Sequence, residues 1–495
     1  MRRIVPTFYY NCVRQPFRIA TIALLVFIFA VNIYRAATQS VTHDEAVTYE
    51  NFVDAPWNIV FNSYDANHHV LHTIACKIFV DLFGVSPFTL RLASVLSGLL
   101  YLYVIFRICE RLFGTGWYLL LSAAMLSLNP YLLDFQSAAR GYGMAVAFFF
   151  LALWEMLEWL REPQARHLIL AGIALGLSVG ANLVLAPPAA GLAAVFLAVV
   201  WNQRRSFEPV VTVSKKGTKK QTPNPFPSLG QAFVEFVLAF VGVAGLIILS
   251  PLSNSSGQQF YVGAASLRAG TESIVRDSLP LVPEWLVTAL ALVLPALIVV
   301  ASVISWRALT RWKVSSTLER SILLCGGAMV VALVAVLAAH LLFDVPYPEG
   351  RTGIYWIPLM TIAGLALAKL LERATLILAV PLAVCIALYI AEFRVSYYAD
   401  WPYDRDDRAI ANLIREHKPN ADRKVVIGGS WQLEPSTNFY RASDHLDWMA
   451  EVERATPKPG ADFYVLLAQD AHFVNDLHLK PLFQGKQSGT ILAQP

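Results

Sequence analysis

From Ile19 to about Ala391 the chain repeats one pattern, a run of about 20 residues nearly free of charge followed by a polar break. A hydrocarbon core about 30 Å thick takes about 20 helical residues to cross, so runs of this length mark membrane spans rather than buried core helices. The repetition excludes a soluble globule. With 56% hydrophobic and 15% charged residues and a mean hydropathy of +0.51, too little polar surface remains to cover one water-soluble core of this size.

Eleven spans are expected, near residues 19–36, 88–108, 117–134, 142–160, 168–185, 186–202, 231–250, 284–305, 321–343, 354–371 and 374–391. The division between the fifth and sixth rests on Pro187-Pro188, which favours a tight hairpin there. Orientation follows from Lys and Arg, because short loops rich in them stay cytoplasmic. Arg2, Arg3, Arg14 and Arg18, then Arg107 and Arg111, Arg161 and Arg166, and the basic cluster from Arg204 to Lys220 all fall on one face. Arg307, Arg311, Lys313, Arg320, Lys369 and Arg373 continue it. The other face has only Lys77, Arg140, Arg268, Arg276 and Arg351 in its loops, with Arg35 and Arg91 at span edges. A multi-pass protein of the cell inner (plasma) membrane is expected, its N-terminus cytoplasmic. The first apolar run lacks a small-residue cleavage site and is read as a retained span. The net charge of +4 is the cytoplasmic fringe and gives no sign of nucleic-acid binding. Five scattered cysteines show neither a disulfide framework nor a metal spacing.

Three segments stand apart from the spans. The first external loop, residues 37–87, is long, and long loops tend to carry function. Residues 202–229, with the run KKGTKKQTPNPFP, read as a flexible cytoplasmic linker. Beyond about Phe393 the pattern predicts a helix over Asp406–Glu416, a strand over Lys424–Gly428, a helical stretch near Glu434–Tyr440 and a strand over Asp462–Leu467. The expected architecture is an all-α polytopic membrane domain of about 11 transmembrane helices, residues 1–392, with a small C-terminal extracytoplasmic α/β domain, residues 393–495.

Chemistry-bearing residues gather in the external loops. The first loop opens with Thr42-His43-Asp44-Glu45-Ala46. Two adjacent carboxylates beside a histidine, this close to the bilayer, are poorly explained by packing, although a merely solvated loop would also be polar. Asp65-Ala66-Asn67-His68-His69-Val70-Leu71-His72 follows, leading into an apolar run. A helix with Asn67 as its N-cap would put His68 and His72 on one face. These histidines could bind a metal, donate hydrogen bonds to a phosphate at the helix start, or rim the membrane interface; spacing alone does not choose. Arg140, in Ser137-Ala138-Ala139-Arg140-Gly141-Tyr142, and Arg351, in Pro348-Glu349-Gly350-Arg351-Thr352-Gly353-Ile354-Tyr355, sit where the positive-inside bias disfavours arginine, so each is expected to have a partner. The guanidinium fork suits phosphate; ion pairs of Arg351 with Glu349 and of Arg140 with Asp134 are the plainer alternative. A reaction on a lipid phosphate would need this assembly: a carboxylate to take a proton from an acceptor hydroxyl, and cations for the departing phosphate.

On these residues the chain resembles the polyprenyl-phosphate-sugar-dependent glycosyltransferases of the GT-C fold, in particular the bacterial relatives of protein mannosyltransferases and of the lipid A aminoarabinose transferase. The matching features are Asp44-Glu45-Ala46, the Asn67-His68-His69-Val70-Leu71 segment, Phe83-Gly84 through Arg91-Leu92-Ala93-Ser94, the Ala139-Arg140-Gly141-Tyr142 turn, and an arginine before the tenth span. The likeness is best over residues 38–160. His69 replaces a proline usual in relatives, and Arg351-Thr352-Gly353-Ile354-Tyr355 is not their compact Arg-Tyr pair, which leaves the phosphate ligand open.

The resemblance implies an inverting transfer of a sugar from polyprenyl phosphate to a hydroxyl of a glycolipid, a polysaccharide or a protein, amid membrane lipids. It implies Asp44 as the base and Glu45 as a supporting or metal-assisting catalytic group. Arg140 and Arg351 would bind phosphate or donor, with His43, Asn67, His68, His69, Tyr142 and Tyr355 completing the substrate-binding set. No cofactor is assigned: some relatives use a divalent cation and others do not, and His43, Asp44 and His68 could hold one. The competing class is a transporter or flippase of lipid-linked saccharides. Transporters tend to carry ionisable groups at the bilayer midplane and paired repeats, whereas these spans are nearly free of charge and show no repeat.

Overall fold

The computed structural model describes residues 15–205, 211–213, 219–221, 226–255, 262–311, 316–419 and 423–495. Eleven apolar helices run through them: α1 (Pro16–Thr38), α2 (Pro87–Phe113), α3 (Trp117–Ser127), α4 (Gly141–Arg161), α5 (Ala165–Ala181), α6 (Leu183–Arg205), α7 (Gly230–Ser253), α8 (Glu284–Arg307), α9 (Thr317–Phe343), α10 (Trp356–Leu370) and α11 (Leu376–Ala391). Seven are long and apolar enough to cross a membrane, and α3, α5, α10 and α11 are shorter. They occupy the eleven expected positions, and the chain is a multi-pass membrane protein. Leu246, Phe343 and Ile377 stand 88%, 77% and 73% open on the outside of the bundle, a surface suited to lipid and costly in water.

The third span departs from expectation. It stops at Ser127 rather than continuing to residue 134, because Asn129-Pro130 starts a separate short helix, Pro130–Phe135. The Asn129 side chain accepts from the Leu132 amide, and Pro130 fills the first helical position, where a missing N–H costs nothing. Within the bundle α4 packs on α2 and α5, α6 and α8 pack on α9, and α9 on α10. Gly141 is needed where α4 begins, because a Cβ there would collide with the Ala181 carbonyl at the end of α5.

The loop between α1 and α2 folds into a helix at His43–Thr48 that runs on through one π-turn, then helices at Trp57–Asn62 and Val70–Phe83. The expected helix start at Asn67 is displaced. Asn67 and His68 instead turn on Asp65, whose carboxylate and carbonyl accept their amides, and the helix begins at Val70. Gly84, at φ +82°, stops it in a conformation that favours glycine.

Of the segment expected as a linker, residues 202–229, the stretches 206–210, 214–218 and 222–225 lie outside the described residues. Its described part holds two short antiparallel strands, β1 (Val211–Val213) and β2 (Lys219–Gln221), so it is not wholly irregular.

After α11 the chain builds a mixed sheet in the order β3-β4-β6-β5 from β3 (Ile427–Gly429), β4 (Phe463–Leu466), β5 (Lys480–Gln484) and β6 (Ile491–Gln494). Strands β3 and β4 are parallel, the other pairings antiparallel. Helices Asp407–Glu416 and Glu434–Ser443 belong to this region, and Ile410, Ile414, Ile427, Phe463, Val465 and Leu492 share its core. The expected helix, strand, helix, strand order is present; β5 and β6 are additional.

Candidate active site

The site is built where the ends of α1, α3 and α9 meet the loop between α1 and α2. Thr42 caps the helix that carries Asp44. Its hydroxyl accepts from the Glu45 amide at 3.3 Å, and Glu45 Oε2 accepts from the Thr42 amide at 2.8 Å, a reciprocal capping box. Glu45 is fully buried and committed on every side. Arg91 Nε donates to Oε1 at 2.8 Å and Arg91 Nη2 to Oε2 at 2.6 Å, while the Ala139 amide donates to Oε1. Burial would raise the Glu45 pKa, but Arg91 and these donors outweigh it and hold it below the ordinary value. Glu45 therefore has no oxygen to offer a substrate or a metal. A carboxylate with no water access must spend its lone pairs on fixed partners, and those of Glu45 go to Arg91, Thr42 and Ala139.

Asp44 points the other way. Its Oδ2 lies 2.6 Å from Arg351 Nη1 and 3.6 Å from Arg140 Nη2. Burial pushes its pKa up, and the two arginines, with a smaller contribution from His43, more than reverse the shift, so it is lowered. Neither alternative ion pair forms: Asp134 pairs with Arg35, and Arg351 reaches past Glu349 to Asp44. Arg140 is 1% exposed. Its Nη1 donates to the Asp44 carbonyl at 3.2 Å and Thr48 Oγ1 at 3.1 Å, and its Nη2 to Asn67 Oδ1 at 2.8 Å. Its Nε has no partner among the described residues. The Arg351 guanidinium lies 5.5 Å over the Trp401 ring and its side chain is 25% exposed, which leaves it the more accessible cation.

The remaining expected residues divide. His43 flanks the site, its amide donating to Asp404 Oδ2 at 2.6 Å and its Nδ1 to the Gln432 carbonyl at 2.6 Å, so it anchors the C-terminal region to the loop. His68 stacks flat on Phe52 at 4.1 Å and donates from Nδ1 to the Ser63 carbonyl. The His69 ring stands edge-on to Tyr142 at 5.0 Å, which places both beside Arg140. His72 is turned into the core, its Nε2 2.8 Å from Ser94 Oγ. Burial pushes the pKa of His68 down to about 4 and that of His72 to about 3, so both are neutral at physiological pH. Tyr355 packs on Trp356 at 5.2 Å and is buried. His43, Asp44 and His68 are not brought together as a cation site. Among the described residues no group of three His, Cys, Asp or Glu side chains could hold a metal ion.

Several residues outside the expected substrate-binding set also frame the site. Arg35 and Arg91, both buried, sandwich the Tyr398 ring at 5.0 and 5.2 Å and so tie the segment after α11 to the loop. Tyr131 donates to Asp400 Oδ2 at 3.3 Å behind Arg351. Burial raises Asp400 to about 6, against the pull of Arg351, and raises Asp277 to about 7 with help from Asp400.

Residues 67–213 match the family model for dolichyl-phosphate-mannose-protein mannosyltransferase. A search of curated proteins gave no match. Among solved structures the chain is similar to ArnT from Cupriavidus metallidurans bound to undecaprenyl phosphate, with 15% identity over 96% of this chain and 97% of that one and a TM-score of 0.46. It is also similar to the oligosaccharyltransferase AglB from Archaeoglobus fulgidus in complex with an inhibitory peptide and a dolichol-phosphate, with 13% identity over 91% and 69% of the two chains and a TM-score of 0.41. The arabinofuranosyltransferase AftD from Mycobacteria is similar at 12% identity, over 95% of this chain and 41% of that one, with a TM-score of 0.40. The family match covers the histidine segment and the Arg140 turn, and it bears out the glycosyltransferase class expected from the motifs.

Proposed function

We propose that this membrane glycosyltransferase moves a sugar from a polyprenyl-phosphate donor to an acceptor hydroxyl, with inversion, at the extracytoplasmic face of the plasma membrane. The observation that carries the reading is the Asp44 carboxylate held between Arg351 and Arg140 at one end of the bundle. At rest both cations depress the basicity of Asp44. A donor phosphate binding there competes for the same guanidiniums and draws their charge away from Oδ2, which raises its affinity for a proton. The acceptor oxygen then bonds to the anomeric carbon from the face opposite the phosphate. The bond from that carbon to the phosphate oxygen breaks, its electron pair leaves with the polyprenyl phosphate, and the acceptor proton passes to Asp44. Glu45, fixed by Arg91 and Thr42, positions Asp44 without touching substrate.

In this reading residues 1–392 are the glycosyltransferase domain and residues 393–495 an extracytoplasmic domain, with the N-terminus cytoplasmic, as the Lys and Arg bias favours. The acceptor is a glycolipid, a polysaccharide or a protein hydroxyl.

The test is to incubate membranes with a panel of radiolabelled polyprenyl-phosphate sugars. Wild type should transfer label from at least one donor, and Arg351→Ala should lose about 100-fold of that rate, as expected when one stabiliser of developing charge is removed. Transfer from no donor would overturn the reading and favour a transporter of lipid-linked saccharides.

A further inference from the structure

The helix that carries Asp44 runs directly into the π-turn Tyr49–Val53, and the C-terminal helix Glu434–Ser443 packs across both. Three contacts close this joint. The Val41 amide donates to the Tyr440 hydroxyl at 3.0 Å, Tyr49 stands edge-on to Phe439 at 5.0 Å, and His43 Nδ1 donates to the Gln432 carbonyl. A fourth contact brings together two acids. Glu50 from the π-turn, which is exposed, and Glu434 from the helix, which is 7% exposed, meet at the side chain of Asn438.

At Asn438 the donors fall one short. Its Oδ1 accepts the Val452 amide at 2.9 Å, which fixes which end of the side chain is the donor. Its Nδ2 carries two hydrogens and faces three acceptors: Glu434 Oε1 at 2.7 Å, the Val452 carbonyl at 3.1 Å and Glu50 Oε1 at 3.3 Å. The neighbouring charges do not fill the gap. Arg454 lies over the Trp431 ring at 4.8 Å, Arg441 pairs with Glu451 at 3.9 Å, and Glu451 adds a like charge beside Glu50. Tyr49 is pushed up to about 12 by burial and by Asp54, so it stays protonated. Two ionised carboxylates on one donor repel each other, and a proton held between them supplies the missing donor. Burial, and after it the Glu50 charge, raises Glu434 to about 7, and burial raises Glu50 as well.

We propose that Glu50 and Glu434 share one proton across the joint between the first loop and the C-terminal region, and that losing it to water opens the joint and frees the helix that carries Asp44. The direction follows from linkage. The shared proton stabilises the closed joint fully below the ordinary glutamate value of 4.5; the gain is lost as pH rises from there to about 7 and is absent above it. The loop is thus held firmly in acid and loosely in alkali.

The experiment is amide hydrogen exchange of the full chain in detergent at pH 5 and pH 8, corrected for intrinsic exchange, with the melting temperature recorded beside it. In wild type, residues 43–53 and 431–443 should lose protection by about tenfold or more between the two conditions, because an opening that releases one proton gains about tenfold per pH unit in that window. Glu434→Gln keeps an acceptor for Asn438 and donates to Glu50 at every pH. It should abolish that loss and raise the melting temperature at pH 8 by about 2 °C. Glu50→Gln changes the exposed member of the pair and should do the same, so the outcome does not hang on one variant folding well. Wild-type protection that is equal at both pH values, or a loss that both glutamine variants retain, would overturn the proposal. The readout does not use sugar transfer, so a failure of the transfer reading leaves it intact.

Discussion

At the residue scale, two adjacent carboxylates do opposite work because they face different neighbours. Glu45 is saturated by Arg91, Thr42 and Ala139, whereas the Asp44 carboxylate faces Arg351 and Arg140. Glu45→Gln should therefore fail by unfolding rather than by selective loss of turnover. It leaves Arg91 buried without its counter-ion, a change costing about 3–5 kcal/mol, and the check is the melting temperature and yield in detergent. Normal yield and stability with turnover lost would instead return Glu45 to the reacting groups. Asp277 gives a pH-dependent prediction. Its folded pKa is raised from 3.8 to about 7, so the folded state holds the proton more tightly than the unfolded one. The resulting destabilisation is absent below the unfolded value, grows as pH rises between the two, and is complete above the folded one. Asp277→Asn should raise the melting temperature at pH 8 by about 2 °C and leave it unchanged near pH 4; equal shifts at both would contradict the assignment. Asp44, Arg140 and Arg351 were legible as rare charges on an apolar background. The structural duty of Glu45 was written in Thr42-x-x-Glu45, a capping-box spacing that the adjacent Asp44 obscured. Asp277 and Asp400 lie far from the loop in sequence, and no local pattern links them to it.

At the element scale, the hydrophobic runs located the eleven apolar helices of the described residues, seven of them long enough to cross a membrane, and the errors fall where capping chemistry overrides periodicity. Asn129-Pro130 cut the third span short, and Asp65 drew Asn67 and His68 into a turn that delayed the next helix to Val70. The close approach of α4 to α5 was not legible either, since glycine spacing alone does not say which backbone comes near. Gly141→Ala brings a methyl against the Ala181 carbonyl and the His69 side chain. It should displace Arg140 and His69 together and lower transfer by about tenfold or more, as overpacking of about 1–3 kcal/mol is spent on moving the site. The measurement is transfer rate beside detergent melting temperature; a variant as active and stable as wild type would show that the contact relaxes freely.

At the scale of the whole molecule, the C-terminal region completes the site rather than decorating it. Tyr398 lies between Arg35 and Arg91, Asp404 receives the His43 amide, and the Tyr440 hydroxyl receives that of Val41, so the segment bearing Asp44 is held from both sides. Arg351 reaches Asp44 from 307 residues further along the chain, which only the closed bundle makes possible. The sequence pattern anticipated a helix and strand alternation after residue 393 but not this docking, because each contact pairs one residue from the loop with one from the tail. What the assembled molecule presents is one carboxylate between two arginines, Arg351 and Arg140. The direct measurement is sugar transfer from the productive polyprenyl-phosphate donor by membranes holding equal amounts of wild type and Asp44→Asn. A loss of about 10²–10⁴-fold is expected, the scale of a general base, with the variant still folded. Transfer by Asp44→Asn at the wild-type rate would contradict it.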